Sequence, residues 1–286
     1  GHAHASPAQS FVENLGQWPQ SFLFRAGVNG ASLFVENDGW TWSKLEESAS
    51  ARMHDIALMS PAEQAALRFN GHAWRMRFVG GPTSIEAKGL DKADHYHNYF
   101  LGSDRTKWRG HVGVYGGVVQ ESVWPGINVV LAKVDGNFKY DIVLAAGADA
   151  DRIALAYEGL DGMALAKNGG LVMTTSVGDS TELAPVAYYG DEKGGPVPCA
   201  FVLHGSTVGF SFPKGYDRTR PLVIDPVLVA GTYSGGTGSD NYGHCATYDN
   251  EGNIYTGARN FGPTYPATVG AFQTAFGGGG TDVSLS

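Results

Sequence analysis

Cysteine and charge are both scarce in this chain. Two cysteines in 286 residues, Cys199 and Cys245, are too few for a disulfide framework or a zinc site. Charged residues make up 17% of the chain, and 28 acidic against 20 basic residues leave a formal net charge of −8. That balance argues against nucleic acid or an anionic membrane as partner. No apolar run approaches the roughly 20 residues of a helical membrane span. The opening Gly1-His2-Ala3-His4-Ala5-Ser6-Pro7 has neither the basic start nor the apolar stretch of a signal peptide, as expected of a mature form after cleavage. Residues 1–10 are expected to be a flexible N-terminus; a metal ion on His2 and His4 is the weaker reading. Also missing are a nucleophile elbow, a Walker A loop, a dinucleotide fingerprint and a His-Glu-x-x-His pair. The expectation is a chain without catalytic function, although carboxylate enzymes can carry acid and base on distant strands without any local motif.

What is present has period two. Phe138, Tyr140, Ile142 and Leu144 alternate with Lys139, Asp141 and Val143; Ile153, Leu155 and Tyr157 alternate with Arg152, Ala154 and Ala156; Val197, Cys199, Phe201 and Leu203 read the same way. Turn signals separate such runs, among them Asn37-Asp38-Gly39, Leu160-Asp161-Gly162 and Lys167-Asn168-Gly169-Gly170. The prediction is an all-β chain with an antiparallel β-sandwich over residues 11–227, composed of one sheet pair or of two sub-sheets split near 130. One segment breaks the period. Ser60-Pro61-Ala62-Glu63 fits an N-cap, Pro in the first turn and Glu three residues after the cap, which predicts a short inserted helix over about 60–69.

Several residues are candidates for binding. His95 and His97 flank Tyr96, so on a strand both point to one face and offer a weak divalent-metal pair. Asp249, in Asp249-Asn250-Glu251-Gly252-Asn253, has oxygen ligands near a glycine but lacks EF-hand spacing, so a structural calcium ion is the minor reading and a plain hairpin turn the major one. No cofactor is expected otherwise. Trp40 and Trp42 alternate with Thr41 and share a sheet face; exposed, they would stack on sugars, and buried, they would fill the core.

The C-terminal residues Asp240-Asn241-Tyr242-Gly243, 246–257, Tyr265-Pro266-Ala267-Thr268 and Gly280-Thr281-Asp282-Val283 follow in an order that resembles one blade of the bacterial β-propeller repeat called the SBBP repeat. Upstream, Phe11-Val12-Glu13-Asn14-Leu15-Gly16-Gln17-Trp18-Pro19, 72–80, His97-Asn98-Tyr99-Phe100-Leu101-Gly102, Trp124-Pro125-Gly126-Ile127-Asn128 and 220–226 are similar, in that order, to the module that precedes such repeats. The resemblance spans most of residues 11–286. It implies a surface protein of the kind found in Bacteroidota, whose members carry gliding-motility or type IX secretion sorting domains. On that reading residues 228–286 are a single propeller-type blade. A Cys199–Cys245 bond, which an oxidising compartment permits, would tie module to blade; the plainer reading is two buried small apolar side chains.

The functional expectation is a secreted or cell-surface structural and adhesion module. A self-assembling extracellular filament subunit is the first alternative, because a lone blade exposes strand edges and apolar side chains such as Ile254, Phe261 and Phe272, which other copies of the chain or further blades would cover. A carbohydrate-binding module is the second, with surface glycans as partner.

Overall fold

The computed structural model describes residues 11–28, 31–46, 59–134, 137–191, 193–226, 228–229, 241–248, 254–260 and 282–285; from 228 onward only the backbone is described. The chain divides into two units, Gly1–Ala230 and Gly231–Ser286. Both are built of antiparallel β-structure, and the chain is all-β with one short α-helix among the described residues. Residues 1–10 lie outside them.

The first unit begins with β1 (Phe11–Glu13), β2 (Phe24–Val28), β3 (Ala31–Val35) and β4 (Gly39–Leu45), followed by α1 (Pro61–Ala66) and β5 (Gly71–Phe78). Next come a long hairpin of β6 (Ala87–Tyr99) and β7 (Arg109–Trp124), then β8 (Ile127–Val134) and β9 (Asn137–Leu144). Shorter strands complete it: β10 (Leu155–Glu158), β11 (Gly162–Leu165), β12 (Leu171–Thr174), β13 (Ser180–Glu182), β14 (Val186–Tyr189), β15 (Pro196–Val197), β16 (Ala200–His204), β17 (Thr207–Ser211), β18 (Leu222–Asp225) and β19 (Leu228–Val229).

Fifteen of these strands share one sheet, in the order β15-β14-β18-β9-β8-β7-β1-β2-β3-β4-β5-β10-β17-β16, with β6 along the other edge of β7. The sheet folds back on itself through β7. Residues 117–120 of β7 pair with β8, whereas Val114 and Tyr115 pair with β1, so one strand passes from the first half of the sheet to the second. Register shifts against β6 and β8, and the left-handed backbone of His111 and Ser122 (φ 56° and 52°), give β7 the local bends this needs. At the opposite side, β15 and β16 end the path at its two extremes, yet only Pro198 and Cys199 separate them in the chain.

The two halves pack face to face as a sandwich with strands switching layers at the corners. Trp40 on β4 meets Tyr140 on β9 with ring centroids 5.1 Å apart, Trp42 meets Phe138 at 5.0 Å, and Phe78 on β5 meets Trp124 on β7 at 5.5 Å. Phe138, Tyr140, Ile142 and Leu144 are all buried, as their alternation predicts, and Lys139 on the outer face bonds to Asp225 at 2.7 Å. The sheet is not divided near 130, since Val130 pairs with Val119 on one side and Asp141 on the other. The run from Val197 to Leu203 is two strands in different halves and not one: Pro198 has no N–H to give to a ladder, so pairing stops there. Ile153 is buried but caps a 3-10 turn, and its strand starts at Leu155.

A glycine is required at the start of β4. A Cβ on Gly39 would lie 1.9 Å from the Met76 carbonyl oxygen, because Gly39 opens β4 directly opposite Arg77 near the end of β5. The helix is as local chemistry dictates. The Ser60 side chain accepts the Glu63 N–H at 3.3 Å, and Glu63 accepts the Ser60 N–H at 2.7 Å, a complete capping box with Pro61 at N1. It ends at Ala66, short of 69, because Leu67 is already extended (ψ 132°) on the way into β5.

A four-stranded sheet, β11-β12-β13-β19, contributes Leu171 and Met173 to the same core. In the second unit, β20 (Asn241–Tyr248), β21 (Ile254–Asn260) and β22 (Asp282–Leu285) form a separate antiparallel sheet in that order, with an irregularity between Gly243 and Cys245.

Candidate functional site

Two places in the first unit have chemistry that its architecture alone does not demand. One is buried. Glu182, on β13, is 4% exposed; its Oε2 accepts the Tyr140 hydroxyl from β9 at 3.0 Å and its Oε1 the Tyr157 hydroxyl from β10 at 3.3 Å. Burial pushes the Glu182 carboxyl up to about 7, with the two hydroxyls opposing the rise, and burial also raises both tyrosines well above their ordinary value. Since β9 and β10 belong to opposite halves of the sandwich, the carboxyl group ties both to the small sheet. The depression beside Tyr157, lined in part by Leu160, Met163 and Ser206, has a volume of about 190 Å³, and Glu182 is not among its lining residues. Such a space is below the roughly 300 to 1,000 Å³ of ordinary ligand pockets.

The other place is a surface at the end of the β6–β7 hairpin, next to the loop 14–20. The loop is held by side chains that saturate its backbone. Asn14 donates to the carbonyls of Gln20 (2.9 Å) and Phe22 (3.0 Å) and accepts from Gly16 N–H (3.0 Å). The buried Gln17 donates to Glu13 O at 2.6 Å and accepts from Leu15 N–H at 2.7 Å. Arg109, at the start of β7, reaches across to donate to Leu15 O at 2.6 Å and to Thr106 O at 2.6 Å. Gly16, at φ +94°, leaves room for that guanidinium, which an added Cβ would approach to 3.1 Å. On the hairpin side, Asn98 accepts the His111 N–H at 3.0 Å, and Glu13 accepts the Gly113 N–H at 2.7 Å.

This bonded frame presents apolar side chains to solvent: Phe100 at 62% exposure, Leu101 and Tyr96 at 49%, and Leu15 at 48%. Behind them, Trp18 packs edge-on against Tyr99 (4.9 Å) and Trp108 against Phe100 (5.3 Å). The Arg25 guanidinium lies over Trp18 and Phe34, and that of Arg105 over Trp108, within cation–π range. The arrangement is an aromatic platform on a hydrogen-bonded frame, with guanidinium groups at its edges.

The residues singled out in the sequence fall in different places. His95 and His97 lie on β6 with rings 5.9 Å apart, and His97 Nδ1 is 3.2 Å from the Tyr99 hydroxyl. Among the described residues no group of three or more His, Cys, Asp or Glu is placed to hold a metal ion around them or elsewhere. Trp40 and Trp42 are buried: Trp40 donates to Gln120 Oε1 at 2.7 Å, and Trp42 stacks on Trp74, so neither offers a face for sugar stacking. Cys199 is a half-buried free thiol in the link between β15 and β16, pushed up to about 12 by burial. The side chains of Cys245 and Ile254, and residues Asp249, Phe261 and Phe272 altogether, lie outside the described residues.

Glu182 escaped the sequence reading because its two partners lie 25 and 42 residues away. The platform escaped it too, since nothing within 11–19 or 97–102 taken alone points to exposed apolar side chains.

No curated protein and no solved structure matches the chain. A family model described as Domain of unknown function (DUF7948) matches residues 11–227, the span holding both the buried carboxyl and the platform, and the chain belongs to that family.

Proposed function

We propose that this chain is a secreted or cell-surface structural and adhesion module without catalytic function, and that it works by docking a protein partner on the platform of loop 14–20 and hairpin 96–109. The observation that carries this is the exposure of Phe100, Leu101 and Leu15 on a backbone pinned by Asn14, Gln17 and Arg109. Contiguous apolar surface rimmed by polar groups marks interaction sites on globular proteins. Preorganisation lowers the ordering cost of association, so a stiff loop suits the role. The likeness of these two segments to modules of surface proteins supports the extracellular placement, and the sparse charge and abundant glycine accord with it.

The test is retention of the labelled full-length chain on cells that lack their own copy. Replacing Phe100 and Leu101 by Ser should reduce retention about tenfold or more, as expected for central apolar anchors, with unchanged thermal unfolding. Retention equal to that of the parent chain would remove the platform from the account.

A further inference from the structure

Apart from Arg68, which donates to the Leu67 carbonyl at 2.8 Å, the described arginines of the first unit divide into two groups. Arg75 pairs with Glu36 and Asp38, Arg77 with Asp38, Arg152 with Asp149, Arg218 with Asp149 and Asp151, and Arg220 with Asp191. Arg25, Arg105 and Arg109 have no carboxylate within ion-pair distance among the described residues, and all three lie at the platform. Arg25 sits on the Trp18 and Phe34 rings, Arg105 on the Trp108 ring, and Arg109 donates to main-chain carbonyls. Lys107 adds a fourth cation, 4.0 Å from Asp104. In a chain of net charge −8, Arg25, Arg105 and Arg109 thus lie around the exposed Phe100, Leu101 and Leu15 without a carboxylate partner of their own among the described residues, beside the single Lys107–Asp104 pair.

From this we infer that the partner presents an acidic polypeptide segment, in which carboxylates meet Arg25 and Arg105 while apolar side chains cover Phe100, Leu101 and Leu15. The inference rests on the platform being the docking surface and specifies what docks there. A guanidinium resting on an aromatic ring is oriented, less hydrated than an ammonium, and keeps its N–H edge for a carboxylate fork. The apolar component selects a polypeptide over an anionic polysaccharide. Sugars recognise open aromatic faces, whereas here the Tyr96 ring lies against His111 at 4.2 Å and Phe100 stands edge-on to Trp108, beside two exposed leucines. Arg109 acts as a positioning residue, since its guanidinium holds Leu15 and the 106–108 turn in place.

The experiment measures binding of the full-length chain to four probes by fluorescence anisotropy or calorimetry. They are a short peptide alternating Glu with Phe and Leu, the same peptide with Lys for Glu, the same with Ser for Glu, and alginate. The acidic peptide should bind best and lose about tenfold in affinity between low and physiological salt, because exposed pairs are screened. Arg25→Gln with Arg105→Gln should weaken it about tenfold, with unchanged thermal unfolding and no effect on the Ser peptide. Phe100→Ser with Leu101→Ser should abolish binding of both. If the Ser peptide binds as well as the acidic one and only the apolar substitutions matter, the acidic-partner inference is wrong and the docking surface stands. Preference for the Lys peptide, tighter binding of alginate, or no binding by any probe overturns the inference outright.

Discussion

Tyr140 and Glu182 meet in the core at 3.0 Å, a phenol donating to a carboxyl group that sits 42 residues further along the chain and on a different sheet. The contact holds in both protonation states of Glu182, but burial favours the neutral one. The folded group titrates at about 7, above its ordinary value of 4.5.

The sign of the pH effect follows. A carboxyl whose folded value is raised contributes stability that is fully present below 4.5 and lost as pH rises to about 7. Glu182→Gln removes this group from the titration. Urea unfolding from pH 4 to 8 should show the parent chain losing about 3 kcal/mol relative to the Gln variant across that window, with a flat difference above it. A difference that does not vary with pH would mean that Glu182 is ionised in the fold.

Gln120 satisfies two groups at once in the buried face of β7, accepting from Trp40 Nε1 at 2.7 Å and donating to the Glu36 carbonyl at 2.9 Å. Gln120→Leu leaves both without a partner. The expected cost is about 2 to 5 kcal/mol in urea unfolding at an unchanged m-value. Trp40→Phe at the same site should cost less, because the Gln120 side chain keeps its bond to Glu36.

Asp191 is drawn down to about 2, first by its hydrogen bonds with Arg220, whose guanidinium also lies 3.7 Å from the centre of the Tyr189 ring. Carboxyl carbon shifts followed by NMR should give a midpoint near 2 for Asp191 in the parent chain and a move toward its ordinary 3.8 in Arg220→Gln. An unchanged midpoint would assign the lowering to the backbone donors of Lys193 and Gly194.

Ser60→Ala should act locally. Loss of an N-cap costs a helix about 1 kcal/mol, so amide exchange within α1 should speed up about fivefold. Because the helix projects mostly exposed side chains, global unfolding should move little. A marked drop in melting temperature would show that α1 supports the core.

Legibility in the sequence tracked the range of each interaction. The capping box spans four residues, and Ser60 and Glu63 could be read as one in advance. The alternation through Phe138–Leu144 was equally plain, since inward residues recur at the period of the strand itself. Val197–Leu203 misled because alternation counts faces and does not register a missing N–H at Pro198. The platform was not visible as a site, for nothing in Leu15 announces Arg109, 94 residues away. Trp40 and Trp42 show the limit of composition: the sequence puts both rings on one face, and only the opposing Tyr140 and Phe138 make that face the interior.

The passage of β7 from one layer to the other also governs the order of assembly. β1 emerges first during synthesis but finds its β7 partner only when Val114 and Tyr115 appear, and the outermost strands are in place only after the Pro198-Cys199 link has been made. Contacts so distant in sequence place folding at the slow end of the range for β domains. The same belt then resists opening, because neither layer can peel away while β7 belongs to both. A chain assembled in this way is slow to form and slow to come apart, so its lifetime is set by the rate of unfolding more than by the depth of the free-energy minimum.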